Sequence, residues 1–152
     1  MAKIGAKAGW HGNYVESITA AKTLVAGDSG KVFMVSDPGS AGYTITLPLP
    51  ADAGAGFTAK FIISTDVLSD GAGEDVIMTD GTKDKMVINY IDSADADASS
   101  NVATSVVHDL GADTIGFDHT AVKGDFIDLF TDGTTWYGYG ISGVNAGVLV
   151  AS

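Results

Sequence analysis

Residues 124–143 read Gly-Asp-Phe-Ile-Asp-Leu-Phe-Thr-Asp-Gly-Thr-Thr-Trp-Tyr-Gly-Tyr-Gly-Ile-Ser-Gly. An apolar run, Phe126 to Thr131, is followed by an aromatic run, Trp136 to Ile141, across Asp132-Gly133. Aromatic and β-branched residues suit a pleated, half-buried surface, and Asp-Gly tolerates the positive φ angles of a tight turn. The stretch therefore predicts a β-hairpin. It holds no nucleophile beside a base, so we expect a scaffold here rather than a catalytic centre.

Short strand patterns recur along the rest of the chain, separated by turn residues. Residues 43–47 and 57–63 alternate between two faces, and residues 14–26 favour short strands over a helix. The other candidates are residues 31–36, 76–78, 86–91, 102–107 and 114–117. About ten strands at spacings of roughly 8–12 residues, without a long amphipathic helix, predict an all-β single domain of the β-sandwich or jelly-roll type.

The composition supports this fold class and excludes several functions. There are 20 glycines and no cysteine, so neither a disulfide nor a thiolate metal site can form. All eight basic residues are lysine, against 19 acidic residues, which gives a formal net charge of −11. An anionic surface without arginine disfavours phosphate recognition, so we expect no nucleic-acid partner. No apolar stretch reaches the roughly 18 residues of a membrane helix and no signal-peptide pattern is present, so we expect a soluble protein made in the cytoplasm, with no membrane partner.

The first 13 residues differ from the rest and predict an extended N-terminal arm ahead of one β domain, residues 14–152. The arm is rich in glycine and alanine. Its candidate contact residues are Lys3, Lys7, Trp10 and His11. Because tryptophan is enriched at interface anchors, Trp10 is predicted to dock on its own subunit or on a partner.

Acidic residues cluster in two loops without the spacing of a metal site. Asp92, Asp95 and Asp97 share one polar loop, but a calcium loop needs ligands at alternate positions, a glycine and a distant glutamate. A solvated surface loop is the favoured interpretation. The same holds for the acidic residues that flank Gly71-Ala-Gly73.

The histidines and serines do not form a catalytic pattern either. His11, His108 and His119 share no metal-ligand spacing, and His108 lies beside Asp109, on the opposite face of a predicted strand. Residues 27–30, Gly-Asp-Ser-Gly, match the surroundings of some protease serines, but such turn residues are common before a strand. No nucleophile elbow or phosphate loop occurs. We therefore predict no enzyme activity, no catalytic residues, no metal and no cofactor.

Two segments together resemble a known class of proteins. The first is residues 18–35, Ile-Thr-Ala-Ala-Lys-Thr-Leu-Val-Ala-Gly-Asp-Ser-Gly-Lys-Val-Phe-Met-Val, continued by Thr44-Ile-Thr-Leu-Pro48 and residues 57–63. The second runs from Gly124-Asp-Phe-Ile-Asp-Leu-Phe to Asp132-Gly-Thr-Thr-Trp136. Their order resembles small virion proteins of tailed bacteriophages, which include capsid decoration or cement proteins, head fibres and some tail-fibre tips.

This resemblance implies a structural protein without catalytic residues. It implies a homotrimer on the outer capsid surface of the virion, which binds the major capsid protein and stabilises neighbouring capsid subunits. Strand addition or arm exchange would suit the N-terminal arm with Tyr14 and the apolar tail. The tail contact residues are Val148, Leu149 and Val150.

Two other functions are alternatives. A tail- or head-fibre tip, or a carbohydrate-binding module, would stack Trp136, Tyr137 and Tyr139 on sugar rings of a host surface, although hairpin aromatics are more often core residues. A hydrolase would use Asp125 and Asp128, but residues i and i+3 lie on opposite faces of a strand.

Overall fold

The structure is a computed structural model that describes residues 14–39, 41–69, 71–82, 86–93, 103–144 and 146–151, with residues 93 and 103–110 described through their backbone only. In this part the strands are β1 (Val15–Ile18), β2 (Lys22–Thr23), β3 (Lys31–Val35), β4 (Tyr43–Thr46), β5 (Thr58–Ile63), β6 (Val76–Thr79), β7 (Met86–Ser93), β8 (Ala103–Ala112), β9 (Thr114–Phe117), β10 (Phe126–Thr131), β11 (Trp136–Ser142) and β12 (Val148–Ala151). One turn of 3-10 helix spans Ala26–Asp28, and one turn of α-helix, α1, spans Pro50–Ala53.

The strands form two sheets, and the chain crosses repeatedly between them. Seven strands lie in the order β1-β3-β5-β10-β11-β7-β8, and five in the order β12-β9-β6-β4-β2. From β1 to β6 successive strands alternate between the sheets. As a result β1, β3 and β5 pair in parallel in the larger sheet, and β2, β4 and β6 pair in parallel in the smaller one. The remaining pairs are antiparallel except β11 with β7.

The prediction of an all-β protein is confirmed. Each strand predicted between residues 31 and 141 is present, although β7 and β8 extend beyond their predicted ends. The sandwich or jelly-roll detail is not confirmed, because the first six strands pair in parallel whereas a jelly roll is built from antiparallel Greek keys. A parallel pair needs a crossover connection, and here each crossover runs through a strand of the opposite sheet.

Large aromatic side chains from distant parts of the chain meet in one hydrophobic core. The rings of Phe33 and Phe61 stack with centroids 5.2 Å apart, and Phe57 meets Trp136 edge to face at 5.5 Å. All four side chains are almost fully buried. The Trp136 indole N–H also donates a hydrogen bond to the Pro48 carbonyl at 3.3 Å. Trp136 therefore links the C-terminal hairpin to the segment between β4 and β5.

Gly138 lies in the core against side chains from both sheets. A Cβ atom at this position would lie 2.6 Å from Ile88 Cδ1 and 3.3 Å from Ile115 Cδ1. Ile88 belongs to the same sheet as Gly138, whereas Ile115 belongs to the opposite sheet. Since the space above Gly138 is already filled, a larger residue there would force these isoleucine side chains to move.

The hairpin of β10 and β11 is confirmed, with Thr131 opposite Trp136 as its last pair. Its connection, residues 132–135, is longer than a two-residue turn, and of Asp132 and Gly133 only Gly133 has a positive φ, 93°. The Asp132 carboxylate accepts hydrogen bonds from the Thr134 hydroxyl and backbone N–H and from the Thr135 N–H at 2.7–2.9 Å. These bonds hold the pKa of Asp132 well below its usual range.

Ion pairs join the edges of the two sheets near the start of the described chain. Lys31 Nζ in β3 lies 2.7 Å from Asp28 and 3.0 Å from Glu16 in β1, and Glu16 also pairs with Lys22 in β2 at 2.6 Å. Asp28, and then Glu16, raise the pKa of Lys31. Because β2 belongs to the smaller sheet and β1 and β3 to the larger, the network links both layers.

Replacing Trp136 by alanine is expected to lower the free energy of unfolding by about 3–5 kcal/mol, because it leaves a cavity in the core and breaks the contact with Phe57. Tyr139→Ala in the same strand is the matched control, since Tyr139 is 42% exposed and its loss is expected to cost under about 1 kcal/mol. Urea unfolding measures both values. Equal destabilisation by the two substitutions would contradict the assigned orientation of β11.

Candidate docking surface

The larger sheet has a second apolar surface, on the side facing away from the core. We call it the outer face, formed by the outward-pointing side chains of β3, β5, β10, β11 and β7. Burial alternates along each of these strands, which assigns every other residue to this side. Its main residues are Val32, Met34, Lys60, Ile62, Val87, Ile91, Phe126, Asp128, Phe130, Tyr137, Tyr139 and Ile141.

Strand register arranges these side chains in rows across the sheet. One row runs from Met34 through Ile62 and Phe126 to Ile141. In another row Phe130 and Tyr137 stack with ring centroids 4.8 Å apart and planes 12° from parallel. Directly opposed side chains in adjacent strands contact each other, so the side chains named in each of these two rows form an apolar strip.

A single ion pair lies in the middle of this surface. Lys60 Nζ is 2.8 Å from Asp128 Oδ2 and 4.1 Å from the centre of the Phe126 ring. An exposed pair of this kind adds little to stability, at most about 1 kcal/mol. Its consequence is electrostatic: the two charges cancel each other, in a protein whose formal net charge is −11. The next carboxylate, Asp132, lies in the hairpin connection and accepts the Tyr137 hydroxyl at 3.1 Å.

The size and exposure of the outer face resemble those of interaction sites. Five strands spaced by about 4.8 Å, with five residues each at about 3.4 Å, cover on the order of 400 Å². Apolar patches of a few hundred Å² on a folded monomer are often functional. Phe130 is 49% exposed, and Val15, on the same side of the edge strand β1, is 59% exposed. A shallow depression of about 240 Å³ lies beside Phe130 and Lys60.

The residues that define the outer face include none of the contact residues predicted from the sequence. Lys3, Lys7, Trp10 and His11 fall outside the described residues. Tyr14 is 48% exposed just before the edge strand β1.

The apolar tail forms the edge strand β12. Val148 is 3% exposed, Val150 packs against the core, and Leu149 is partly exposed. In the described part of the chain β12 pairs only with β9, and its Val148 N–H donates to the Asp92 carboxylate at 3.4 Å. That the arm and tail contact a partner stays a prediction.

Sequence reasoning missed the outer face, although a signal was present. The runs Val-Phe-Met-Val (32–35), Phe-Ile-Ile (61–63) and Phe-Ile-Asp-Leu-Phe (126–130) are apolar at consecutive positions. Such runs are typical of strands that are apolar on both faces. The second apolar face becomes visible only when pairing places β3, β5 and β10 side by side.

Two buried carboxylates lie near the loop that joins β11 to β12. The expectation that Asp92 lies in a solvated loop is wrong: β7 continues to Ser93 beside β11, and Asp92 is 4% exposed. Asp125 accepts hydrogen bonds from the Ser142 hydroxyl and the Gly143 N–H, both at 2.8 Å. Burial, and the nearby charge of Asp125, raise the pKa of Asp92. Asp95 and Asp97 lie outside the described residues.

Asp92→Asn is expected to raise the free energy of unfolding at pH 7. The native pKa of Asp92 is raised, so its contribution to stability is fully present below the unfolded pKa, about 3.9, and is lost as the pH rises through the native value. The advantage of the variant should therefore shrink as the pH falls towards 4. Urea unfolding between pH 4 and 7 tests this, with Asp52→Asn in α1 as a charge-matched exposed control. A pH-independent difference would contradict the assignment.

The acidic pair considered for hydrolysis is not brought together. Asp125 is buried against Ser142 and Gly143, whereas Asp128 lies on the outer face with Lys60. Asp75, from the second acidic loop, instead lies near Asp118 and His119, at 3.8 Å from the His119 ring nitrogen.

No protein-family model, curated protein or solved structure matches the chain. Among the described residues, no helix has both the length and the apolar character needed to cross a membrane.

Proposed function

We propose that this protein is a capsid decoration, or cement, protein of a tailed bacteriophage, which binds as a homotrimer on the outer capsid surface and stabilises neighbouring major-capsid subunits. The observation that carries the proposal is the outer face, a mainly apolar surface whose two central charges cancel, on an otherwise strongly acidic β scaffold. The resemblance of residues 18–63 and 124–137 to phage virion proteins supports the same function.

The outer face suits attachment to a large, rigid partner. Its side chains are held by paired strands, so little backbone order has to be gained on binding. Exposed aromatic residues such as Phe130 and Tyr139 are typical of the centre of binding interfaces. The major capsid protein is the proposed occupant, and the arm and tail are proposed as secondary contacts. In a trimer, three such faces bind together and multiply weak single contacts.

The acidic remainder of the surface suits exposure to solvent. After the two arm lysines are set aside, residues 14–152 contain 6 lysines and 19 acidic residues, a formal charge of −13. Like-charged particle surfaces repel one another and stay soluble. In this proposal the mainly apolar outer face contacts the capsid, and the acidic remainder of the surface faces the solvent.

A double variant, Phe130→Ser with Tyr139→Ser, is expected to weaken rebinding to capsids stripped of this protein by at least about tenfold, because exposed aromatic anchors carry much of the affinity of an interface. The matched control is Val25→Ser with Leu49→Ser, which removes two exposed apolar side chains, 59% and 43% exposed, outside the outer face. Co-sedimentation with the capsids measures binding, and light scattering of the free protein should give a trimer.

Unchanged rebinding by the Phe130/Tyr139 double variant would place attachment elsewhere on the protein. A monomer in light scattering that also fails to bind capsids would overturn the proposed function.

The alternative function, a fibre tip or carbohydrate-binding module, is favoured by one feature. Phe130 lines the shallow depression on the outer face, Tyr137 stacks on its ring, and Tyr139 is exposed on the same face. Trp136 cannot contribute, because it is fully buried in the core. Substitution of Trp136 would therefore report on folding rather than on sugar binding.

If the protein recognises glycans, Tyr139→Ala should abolish binding to host cells or to a glycan array without changing the unfolding midpoint. Leu49→Ala removes an apolar side chain of similar exposure, 43%, that does not line this depression, and should leave the binding intact. Failure of the unmodified protein to bind any glycan, together with capsid rebinding, would reject this alternative.

A further inference from the structure

Three side chains of the kinds that bind metal ions lie close together where β6 begins and β9 ends. The two strands are antiparallel with Val76 opposite Phe117, which places Asp75 beside Asp118 and His119. His119 Nδ1 lies 3.1 Å from Asp118 Oδ1 and 3.8 Å from Asp75 Oδ1. The side chains are 20–27% exposed, so the cluster is accessible from solvent.

The His119 ring nitrogen in this cluster has no hydrogen-bond partner. Nδ1 is buried, yet it makes no hydrogen bond with the nearby carboxylate oxygens. A buried polar atom without a partner carries a desolvation cost of about 1–3 kcal/mol unless something else satisfies it. An ion bound to the Nδ1 lone pair would do so.

Backbone and hydroxyl groups hold both carboxylates in place. The His119 N–H donates to Asp75 Oδ1 at 3.0 Å. The Thr120 N–H and hydroxyl donate to Asp118 Oδ1 at 2.9 and 2.6 Å. The His119 carbonyl accepts the Ser69 N–H at 2.9 Å. Hydrogen bonds that orient ligating carboxylates are a regular feature of metal sites.

We propose that Asp75, Asp118 and His119 bind one divalent transition-metal ion, with zinc as the ion that fits best. Zinc bonds of about 2.0–2.1 Å to nitrogen and oxygen place tetrahedral ligands roughly 3.4 Å apart, and the observed separations of 3.1 and 3.8 Å bracket this value. An imidazole ligand favours zinc, nickel or iron over calcium and magnesium, which prefer all-oxygen sites.

The ion would also reduce the repulsion between the Asp75 and Asp118 carboxylates. Like charges at neighbouring cross-strand positions are destabilising, and Asp75 and Asp118 are such a pair at the end of the β6–β9 ladder. The competing arrangement is a protonated His119 between the two carboxylates, which needs no metal. The two arrangements differ in what Nδ1 carries, a metal or a proton.

The proposed ion would fasten a long connection to the smaller sheet. Residues 64–75 join β5 to β6, and this connection is already tied to the 118–122 segment by the Val67–Val122 bridge and the Leu68 N–H to Ala121 carbonyl bond of 2.7 Å. A metal held by Asp75 on one side and by Asp118 and His119 on the other adds a further link. The site therefore predicts a metal-dependent gain in stability.

Zinc titration of the full-length protein, stripped with chelator and then dialysed, tests the proposal. Calorimetry should show one saturable site per chain, and saturating zinc should raise the thermal midpoint. His119→Gln should weaken this binding at least about tenfold and abolish the thermal shift. Asp52→Asn, which removes an exposed carboxylate of α1 outside the cluster, should behave like the unmodified protein. Equal affinity in the His119→Gln variant would overturn the proposal.

Imidazole ¹⁵N spectra of the unmodified protein give a reading that does not depend on the folding of a variant. Zinc should shift the Nδ1 resonance of His119 at one equivalent. Unchanged His119 signals, or a doubly protonated ring that persists in excess zinc, would overturn the proposal in favour of the metal-free arrangement. Equally tight saturation by calcium or magnesium would overturn the choice of metal class.

Discussion

The rest of the structure depends on the position of the β10–β11 hairpin in the middle of the larger sheet. β10 pairs with β5 and β11 with β7, so the hairpin joins the parallel strands of the first half to the strands that follow. Trp136 adds a link through the core, by its edge contact with Phe57 and its bond to the Pro48 carbonyl. The absence of a side chain at Gly138 leaves room in the core for Ile88 of the same sheet and Ile115 of the other. Without the hairpin, the first and second halves of the larger sheet would share no direct strand pairing in the described chain.

The same hairpin also displays the surface on which the proposed function rests. Its inward residues fill the core, while Phe126, Phe130 and Tyr139 point the other way. Exposed aromatic residues favour association, because a partner that covers them removes apolar surface from water. Since the strands already hold these side chains, little conformational entropy is lost on binding. The opposite charges of Lys60 and Asp128, in the middle of this surface, cancel each other. An acidic protein can therefore approach another protein through this face without strong repulsion.

Polar side chains gather where strand ends from distant segments meet. Asp92 and Asp125 lie 33 positions apart in the sequence, and Asp75 lies 43 positions before Asp118. Neither pair has a local spacing that indicates a site. The sequence therefore predicts solvated surface positions for Asp75 and Asp92. Pairing of β7 with β11 and of β6 with β9 brings them together, and burial raises the pKa of Asp92. The arm residues of the sequence analysis, in contrast, fall outside the described residues.

Local patterns in the sequence were enough to predict the all-β class, the hairpin and the inward alternation of residues 43–47 and 57–63, because side-chain alternation and turn residues act over a few positions. They could not predict the parallel pairing of β1, β3 and β5, since any set of short strands is compatible with many pairing orders. They also could not separate Trp136, which is buried, from Tyr139, which is exposed, because a strand pattern does not say which face meets the second sheet. The sequence by itself determined the strands and turns. Only the tertiary structure decided the outer face and the Asp75–Asp118–His119 cluster, because both are created by strand pairing between residues far apart in the chain.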